Sequence, residues 1–320
     1  LGHWLAYPTI ARRANGKFKA AMKAFERIIV VDWSARSSLS PQRPSADAIW
    51  IAEVGLGGVE SRYIRGRSLA MAALNARFSV ALDAGERLLV GFDFPFGYPV
   101  GFADQVAGEA NALAVWRMLA QQIEDGDDNR NNRFPVAAKL NARFPGTGPF
   151  WGCPQSQHYA GLPHKGTARE GHGLPERRLV ETHIRSTQPC WKLFTTGSVG
   201  SQALLGIARL EQLRRRWGET LSVWPFEAGE TPIVLAEIYP SLLNLQVDAA
   251  LRKRPEAIKD DVQVRLLALA LTQLQRQGLL GAGLCAAKGP DLMQEGWILG
   301  VGVEDAVRAA AKDKSAVLFA

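Results

Sequence analysis

Apolar positions along this chain fall into short β-branched runs and longer stripes of helical spacing, in an order that predicts a mixed α/β fold. The first run, Arg27-Ile28-Ile29-Val30-Val31-Asp32, is apolar at consecutive positions and ends in a carboxylate. A strand buried on both faces has that pattern. Ala48 to Val54 and Val59 to Arg65 predict a second and a third strand, and the turn at Gly55, Gly57 and Gly58 makes them an antiparallel pair. Ser68 is placed to cap a helix from about Leu69 to Ala84, with Leu69, Ala72, Ala73, Phe78 and Leu82 near helical spacing and Gly85 as its stop. Arg87 to Phe92 is the fourth strand and delivers Asp93. Strands joined through a helix crossover are normally parallel neighbours. Asp93 is therefore expected at the same sheet edge as Asp32.

A long departure follows. Phe94 to Pro99 reads as a rigid turn, Ala103 to Glu124 as one helix, and Asp125 to Asn132 as a polar loop. Arg133 to Pro189 is rich in Gly, Pro, His and Arg without sustained periodicity, as expected of a functional lid or binding surface. Trp191 to Gln202 leads into a helix from about Ala203 to Trp217, and a turn-rich link runs from Gly218 to Glu230. The fifth strand is Ile233 to Ile238, and a strong helix covers about Ile258 to Gln277. The tail after Gly281 is Ala- and Lys-rich at its end and is expected to be frayed or helical.

Composition changes the picture in three places. The chain has 320 residues, 47% of them apolar, enough for a large core. Its three cysteines, Cys153, Cys190 and Cys285, are widely spaced, which predicts reduced thiols in a cytoplasm and argues against a disulfide framework or a zinc ribbon. No apolar run approaches the roughly 20 residues a bilayer requires. The formal charge is +7, and Arg12, Arg13, Lys17 and Lys19 lie in residues 1–21, which hold no acid. That segment is expected to be a disordered or non-native extension before a start at Met22, the rival reading being a basic targeting peptide. The expected division is then 1–21 as extension, 22–300 as one domain with an insertion at about 98–230, and 301–320 as tail.

The candidate chemistry is acidic. Asp32 and Asp93 exit strands, Glu237 sits inside the run IVLAEIYP, and Asp260 with Asp261 opens a helix. Each has a plain alternative: a turn acid, an acid paired with arginine, or a first-turn acid that favours the helix dipole. Together, Asp32, Asp93, Glu237 and Asp260 form a set of hard oxygen donors suited to Mg²⁺ or Mn²⁺. Two ions about 3.5–4 Å apart would activate water and stabilise the leaving oxygen of a phosphodiester. The segment Gly197-Ser198-Val199-Gly200-Ser201-Gln202, with Lys192 upstream, is a candidate phosphate cradle at a helix N-terminus, the alternative being a capped tight turn. His158, His164, His172 and His183 are too loosely spaced for zinc. Arg177-Arg178, Arg214 to Arg216 and Arg252 to Arg254, with Trp151, Tyr159 and Trp191, would suit a nucleic-acid groove or merely solvated faces.

The segments VVDWSA, GFDFPFGYP, CWKLFTTGSVGSQ, AEIYPS, IKDDVQVRLLALA and EGWILG, in that order from about Glu26 to Gly300, resemble the domain-of-unknown-function family 429 (DUF429), a group of predicted RNase H-like nucleases. The resemblance implies an RNase H-like five-stranded mixed sheet flanked by helices, with a large insertion between strands four and five. It also implies that Asp32, Asp93, Glu237 and Asp260 match the acidic positions of that fold, with Asp261 beside the last. The expected activity is metal-dependent cleavage of a nucleic-acid or nucleotide phosphodiester. Two other readings stay open: an actin-like phosphotransferase using ATP, and a non-catalytic nucleic-acid binding module. The actin-like reading lacks its glycine, because Trp33 and Ser34 follow Asp32.

Overall fold

The computed structural model describes residues 23–55, 58–184, 186–227, 229–312, 314 and 318. The expectations for residues 1–21 and for Met22 lie outside the described residues. Six strands form one mixed sheet: β1 (Arg27–Asp32), β2 (Ile49–Gly55), β3 (Gly58–Ile64), β4 (Leu88–Phe92), β5 (Leu221–Val223) and β6 (Ile233–Glu237), in the order β3-β2-β1-β4-β6-β5. β1, β2 and β3 pair antiparallel, whereas β1, β4, β6 and β5 run parallel. β5 is a correction to the five-stranded expectation. Leu221, Ser222 and Val223 are too short a run within a turn-rich link to carry a strand pattern, yet they pair with Ile233, Val234 and Leu235 at the sheet edge.

Helices cover both faces, as the buried runs require. On one face, Ile29, Val31, Val90, Phe92 and Leu235 pack with α1 (Arg67–Asp83), α3 (Ala112–Gln122), α4 (Arg133–Asn141) and α6 (Val199–Trp217). On the other, Ile28, Val30, Leu89, Val234 and Ala236 pack with α7 (Asn244–Lys253), α8 (Lys259–Arg276) and α11 (Glu304–Lys312). Two short helices, α9 (Leu280–Leu284) and α10 (Leu292–Glu295), lie between α8 and α11 in the chain. Val307, Ala310 and Ala311 of α11 are buried, so the core continues past Gly300. Among the described residues, no helix is long and apolar enough to cross a membrane.

Helix boundaries differ from the sequence expectation for local reasons. α1 begins two residues early, with Gly66 at its N-cap; Ser68 lies inside it and accepts from Arg209 at 3.2 Å. The helix expected over Ala103 to Glu124 is two helices, α2 (Phe102–Ala107) and α3. Gly108 ends α2 at φ 71°, and the Asn111 side chain caps α3 by accepting from the Leu113 amide at 2.8 Å. The segment expected as a lid or binding surface is anchored to the core at Phe150, Leu162 and Val180, while the stretch from Pro154 to Arg177 is otherwise exposed or half-buried. Phe150 and Trp191 are fully buried, Trp191 stacks on Tyr98, and Asn141 bridges Phe150 and the Gly161 carbonyl. α5 (Leu179–His183) falls in this segment.

Gly206 of α6 lies directly against the Phe94 ring, and a Cβ there would run into it. At Gly281 of α9 an added methyl group would meet nothing within 4 Å. Gly206→Ala is expected to cost about 1–3 kcal/mol by overpacking. Gly281→Ala should be neutral or stabilising by up to about 1 kcal/mol. Urea denaturation of both variants checks the contrast.

Candidate functional site

The C-terminal ends of β1 and β4 lie side by side, Val31 opposite Phe92, so the next residue on each strand is an aspartate beside an aspartate. Asp32 and Asp93 share a hydrogen bond, and Asp93 Oδ1 also accepts from the Trp33 amide at 2.7 Å. Both carboxyls lie deep, yet both residues keep partial exposure to solvent. Burial pushes the Asp32 carboxyl well up, and the charges of Asp93, Asp260 and Asp47 push it further. Burial also raises Asp93, to about 7, against the downward pull of the Trp33 amide and of Asp32. The two carboxyls therefore titrate as one unit.

α8 brings a third acid to this edge. Asp260 Oδ2 accepts from the Asp47 amide at 2.8 Å, and burial raises its pKa. Asp47 is an acid that sequence reasoning missed. It adopts φ 54°, an uncommon left-handed conformation for a residue with a side chain. The Ser34 hydroxyl donates to its carbonyl at 2.9 Å, so Asp47 ties the β1 exit to α8. A signal for it existed: Asp32 pairs with Trp50 in antiparallel β2, which sets an acid just before β2 close to the end of β1. Asp261 does not stand in for Asp260; its Oδ1 is enclosed without a hydrogen-bond partner among the described residues.

Glu237 does not join the three aspartates. Strand alternation puts it on the face of Ile233 and Leu235, opposite the face of Val234 and Ala236 toward which Ile28, Val30 and Leu89 point. There it is 2% exposed and paired bidentately with Arg178, at 2.6 and 2.7 Å, and it accepts from the Phe96 amide at 2.9 Å. Burial lifts its pKa while Arg178 and that amide hold it down. Burial alone would lower Arg178, but Glu237 and Glu181 keep it above its ordinary value. The expected convergence of four carboxylates is thus replaced by a trio with Asp47 alongside. Among the described residues, no group of three or more His, Cys, Asp or Glu side chains is arranged to hold a metal ion.

The Gly197 to Gln202 segment also serves the fold. Gly200 crosses the Cys190 and Lys192 carbonyls, where a Cβ would lie 2.7 Å from the latter, and its N–H donates to Lys192 at 3.0 Å. Gly197 takes φ 75° to make the turn, and Ser198 precedes α6 without a side-chain cap bond. Ser201 is fully buried and donates to the Leu193 carbonyl at 2.5 Å. Lys192 Nζ donates to the Thr196 carbonyl at 2.6 Å. Gln202 is the one that reaches the candidate site: its Nε2 donates to the Trp33 carbonyl at 2.5 Å. The basic runs are similarly engaged, Arg178 with Glu237, Arg214 with Glu227 at 2.5 Å and Arg215 with Glu211 at 2.9 Å. Trp191 belongs to the core and lines no groove.

The donor chemistry at Asp32, Asp93 and Asp260 fits a hard divalent ion in one respect: no arginine or lysine side chain among the described residues bonds these carboxyls. A cation could take the place of a proton there. No family model, no curated protein and no solved structure matches this chain. What fold and site define together is an α/β chain with a closely paired buried aspartate couple at the C-terminal edge of a mixed sheet.

Two outcomes follow from this electrostatic layout. The unfolded chain releases these protons near the ordinary carboxylate value of 3.8, whereas folded Asp93 holds on to about 7. Between those values the folded state binds more protons, so stability falls as pH rises. Asp93→Asn should flatten that slope and raise stability at alkaline pH, read by urea denaturation across a pH series; an unchanged slope refutes the coupling. Arg178→Met leaves Glu237 buried and unpaired and is expected to cost about 3–5 kcal/mol. The double variant with Glu237→Leu should recover part of that loss in the same measurement.

Proposed function

We propose that the chain is a metal-dependent phosphodiesterase of the RNase H-like class, acting on nucleic acid or nucleotides with Mg²⁺ or Mn²⁺. One observation carries this reading: two deep carboxyls at the ends of adjacent parallel strands lie within hydrogen-bonding reach of each other, keep partial exposure to solvent, and have no cationic side chain among the described residues bonded to them. An arrangement in which like charges are buried together is costly unless a proton or a metal ion relieves it. The strand order supports the class as well. Three antiparallel strands followed by parallel neighbours is the order expected from the resemblance to DUF429, with β5 as an added edge strand.

In this reading Asp32 and Asp93 would hold the ion, with Asp260, in the first turn of α8, as the further carboxylate at this edge. A bound Mg²⁺ or Mn²⁺ would supply an activated water and stabilisation of the leaving oxygen there. Trp33 fixes Asp93 through its amide, Gln202 fixes the Trp33 carbonyl, and Asp47 fixes Asp260. Glu237 enters as the anchor of the inserted segment, through Arg178, and not as a ligand.

Calorimetric titration with Mn²⁺ should show binding to the native chain and at least about tenfold weaker binding to Asp32→Asn, whereas Glu237→Gln keeps the native affinity wherever it folds. Labelled oligonucleotides should be cleaved only with the ion present, and Asp93→Asn should abolish cleavage with the fold intact. Absence of Mn²⁺ and Mg²⁺ binding at millimolar concentration would defeat the proposal. Turnover of labelled ATP without oligonucleotide cleavage would move the chain to the phosphotransferases.

A further inference from the structure

A second charged cluster lies on the other flank of the loop that leaves β1, and its charges do not balance. Asp125 is shared by two arginines: Arg67 binds it at 2.8 and 2.5 Å and Arg209 at 2.9 Å. Arg67 uses its remaining donors on the Ser34, Arg36 and Asn129 carbonyls. Arg133, the first residue of α4, bonds no carboxylate among the described residues, and the charge of Asp125 reaches it only through space. It is only 7% exposed, and its hydrogen bonds go to neutral acceptors: Nε to Ser201 Oγ at 2.9 Å, and Nη1 to Ser37 Oγ at 2.9 Å and to Asn131 Oδ1 at 2.8 Å. Its guanidinium rests on the Phe134 ring, 4.3 Å from the centroid. Among the described residues Nη2 has no acceptor, yet it is not enclosed. Burial first, and Arg67 second, lower its pKa to about 10, which still leaves it charged at neutral pH.

A buried guanidinium without a hydrogen-bonded counter-ion is unfavourable, and an anion at its free Nη2 would supply one. The planar fork of arginine suits phosphoryl oxygens, to which two parallel N–H groups can donate. The position suits them too. Ser201, which Arg133 holds, precedes Gln202, whose side chain holds the carbonyl of the residue after Asp32. Ser37, on the same loop as Asp32, is exposed, and its hydroxyl accepts from Arg133 and so keeps its own proton for an anion.

The geometry points to Arg133 and Ser37 as phosphate-binding residues beside the loop that leaves β1, taking a non-bridging oxygen of a phosphodiester or phosphomonoester. This inference rests on the phosphodiesterase reading for its substrate. It replaces the Gly197 to Gln202 backbone as the anion contact, since the Gly200 N–H is already committed to Lys192.

The test uses inorganic phosphate and no divalent ion, so that it does not depend on metal binding. Calorimetry on the intact chain should show phosphate binding that sulfate competes for. Arg133→Gln should weaken it by at least about tenfold, Arg133→Lys should fall between, and Asp93→Asn should leave it at native strength or tighter. Because Arg133→Gln also removes bonds to Ser201 and Ser37, the unmodified chain supplies a second readout: the Arg133 Nε–H resonance should shift on phosphate addition with the same affinity. No binding to the intact chain, native affinity in Arg133→Gln, or a stationary resonance overturns the inference. If Mn²⁺ still binds in a dependence on Asp32 when phosphate does not, only the inference about Arg133 falls. If phosphate binds and Mn²⁺ does not, only the metal reading falls.

Discussion

The two-residue period of three parallel strands governs everything at the sheet edge. β1 and β6 finish on the acids Asp32 and Glu237, and Asp93 directly follows the last residue of β4. Ile28, Val30 and Leu89 point toward α8, and the acids that continue their alternation arrive beside Asp260. Leu235 points toward the opposite layer, and Glu237 follows it there. One residue of phase thus separates a carboxyl that meets like charge from a carboxyl that meets an arginine. The first pair must hold a proton or a cation; the second is neutralised within the protein.

The inserted segment between β4 and β5 supplies the cations of the molecule's other half. Arg178 comes from beside α5 and clamps Glu237, which fastens the insert to the end of β6. Arg133 comes from α4 and bonds Ser37 of the loop that leaves β1, and Arg209 comes from α6 and bonds Asp125. The insert is held down by aromatic packing as well, with Tyr98, Phe102, Phe150 and Trp191 in mutual contact. Under the proposed phosphodiesterase reading, an acidic centre with an arginine-rich flank, both set on packed elements, would be a preorganised field for a substrate that carries phosphate. Such a field costs little reorganisation when charge develops, because the groups are fixed before the ligand arrives.

Much of the site was readable from the chain. The apolar run through Val31 and the run through Phe92 announce two buried strands, and the helix between them makes the strands parallel, so the adjacency of Asp32 and Asp93 follows from local pattern and one topological rule. The face of Glu237 was readable in the same way, from Ile233 and Leu235 before it, but the choice between metal and arginine for a buried acid was not. Arg178 lies 59 positions away in a segment without periodicity, and only packing brings it to Glu237. Short elements escape notice for a related reason: the three residues of β5 are stabilised by pairing with β6 and have no pattern of their own.

The sequence by itself determined the sheet's buried strands, the helix α8 with acids in its first turn, and the pairing of two aspartates at one edge, because each depends on periodicity or on neighbours within a crossover. The tertiary structure decided the partners: Arg178 for Glu237, Asp47 for Asp260, Ser201 and Ser37 for Arg133. Those contacts depend on three-dimensional distance between groups far apart in the chain, and a buried charge takes whichever partner the packing leaves within hydrogen-bond reach.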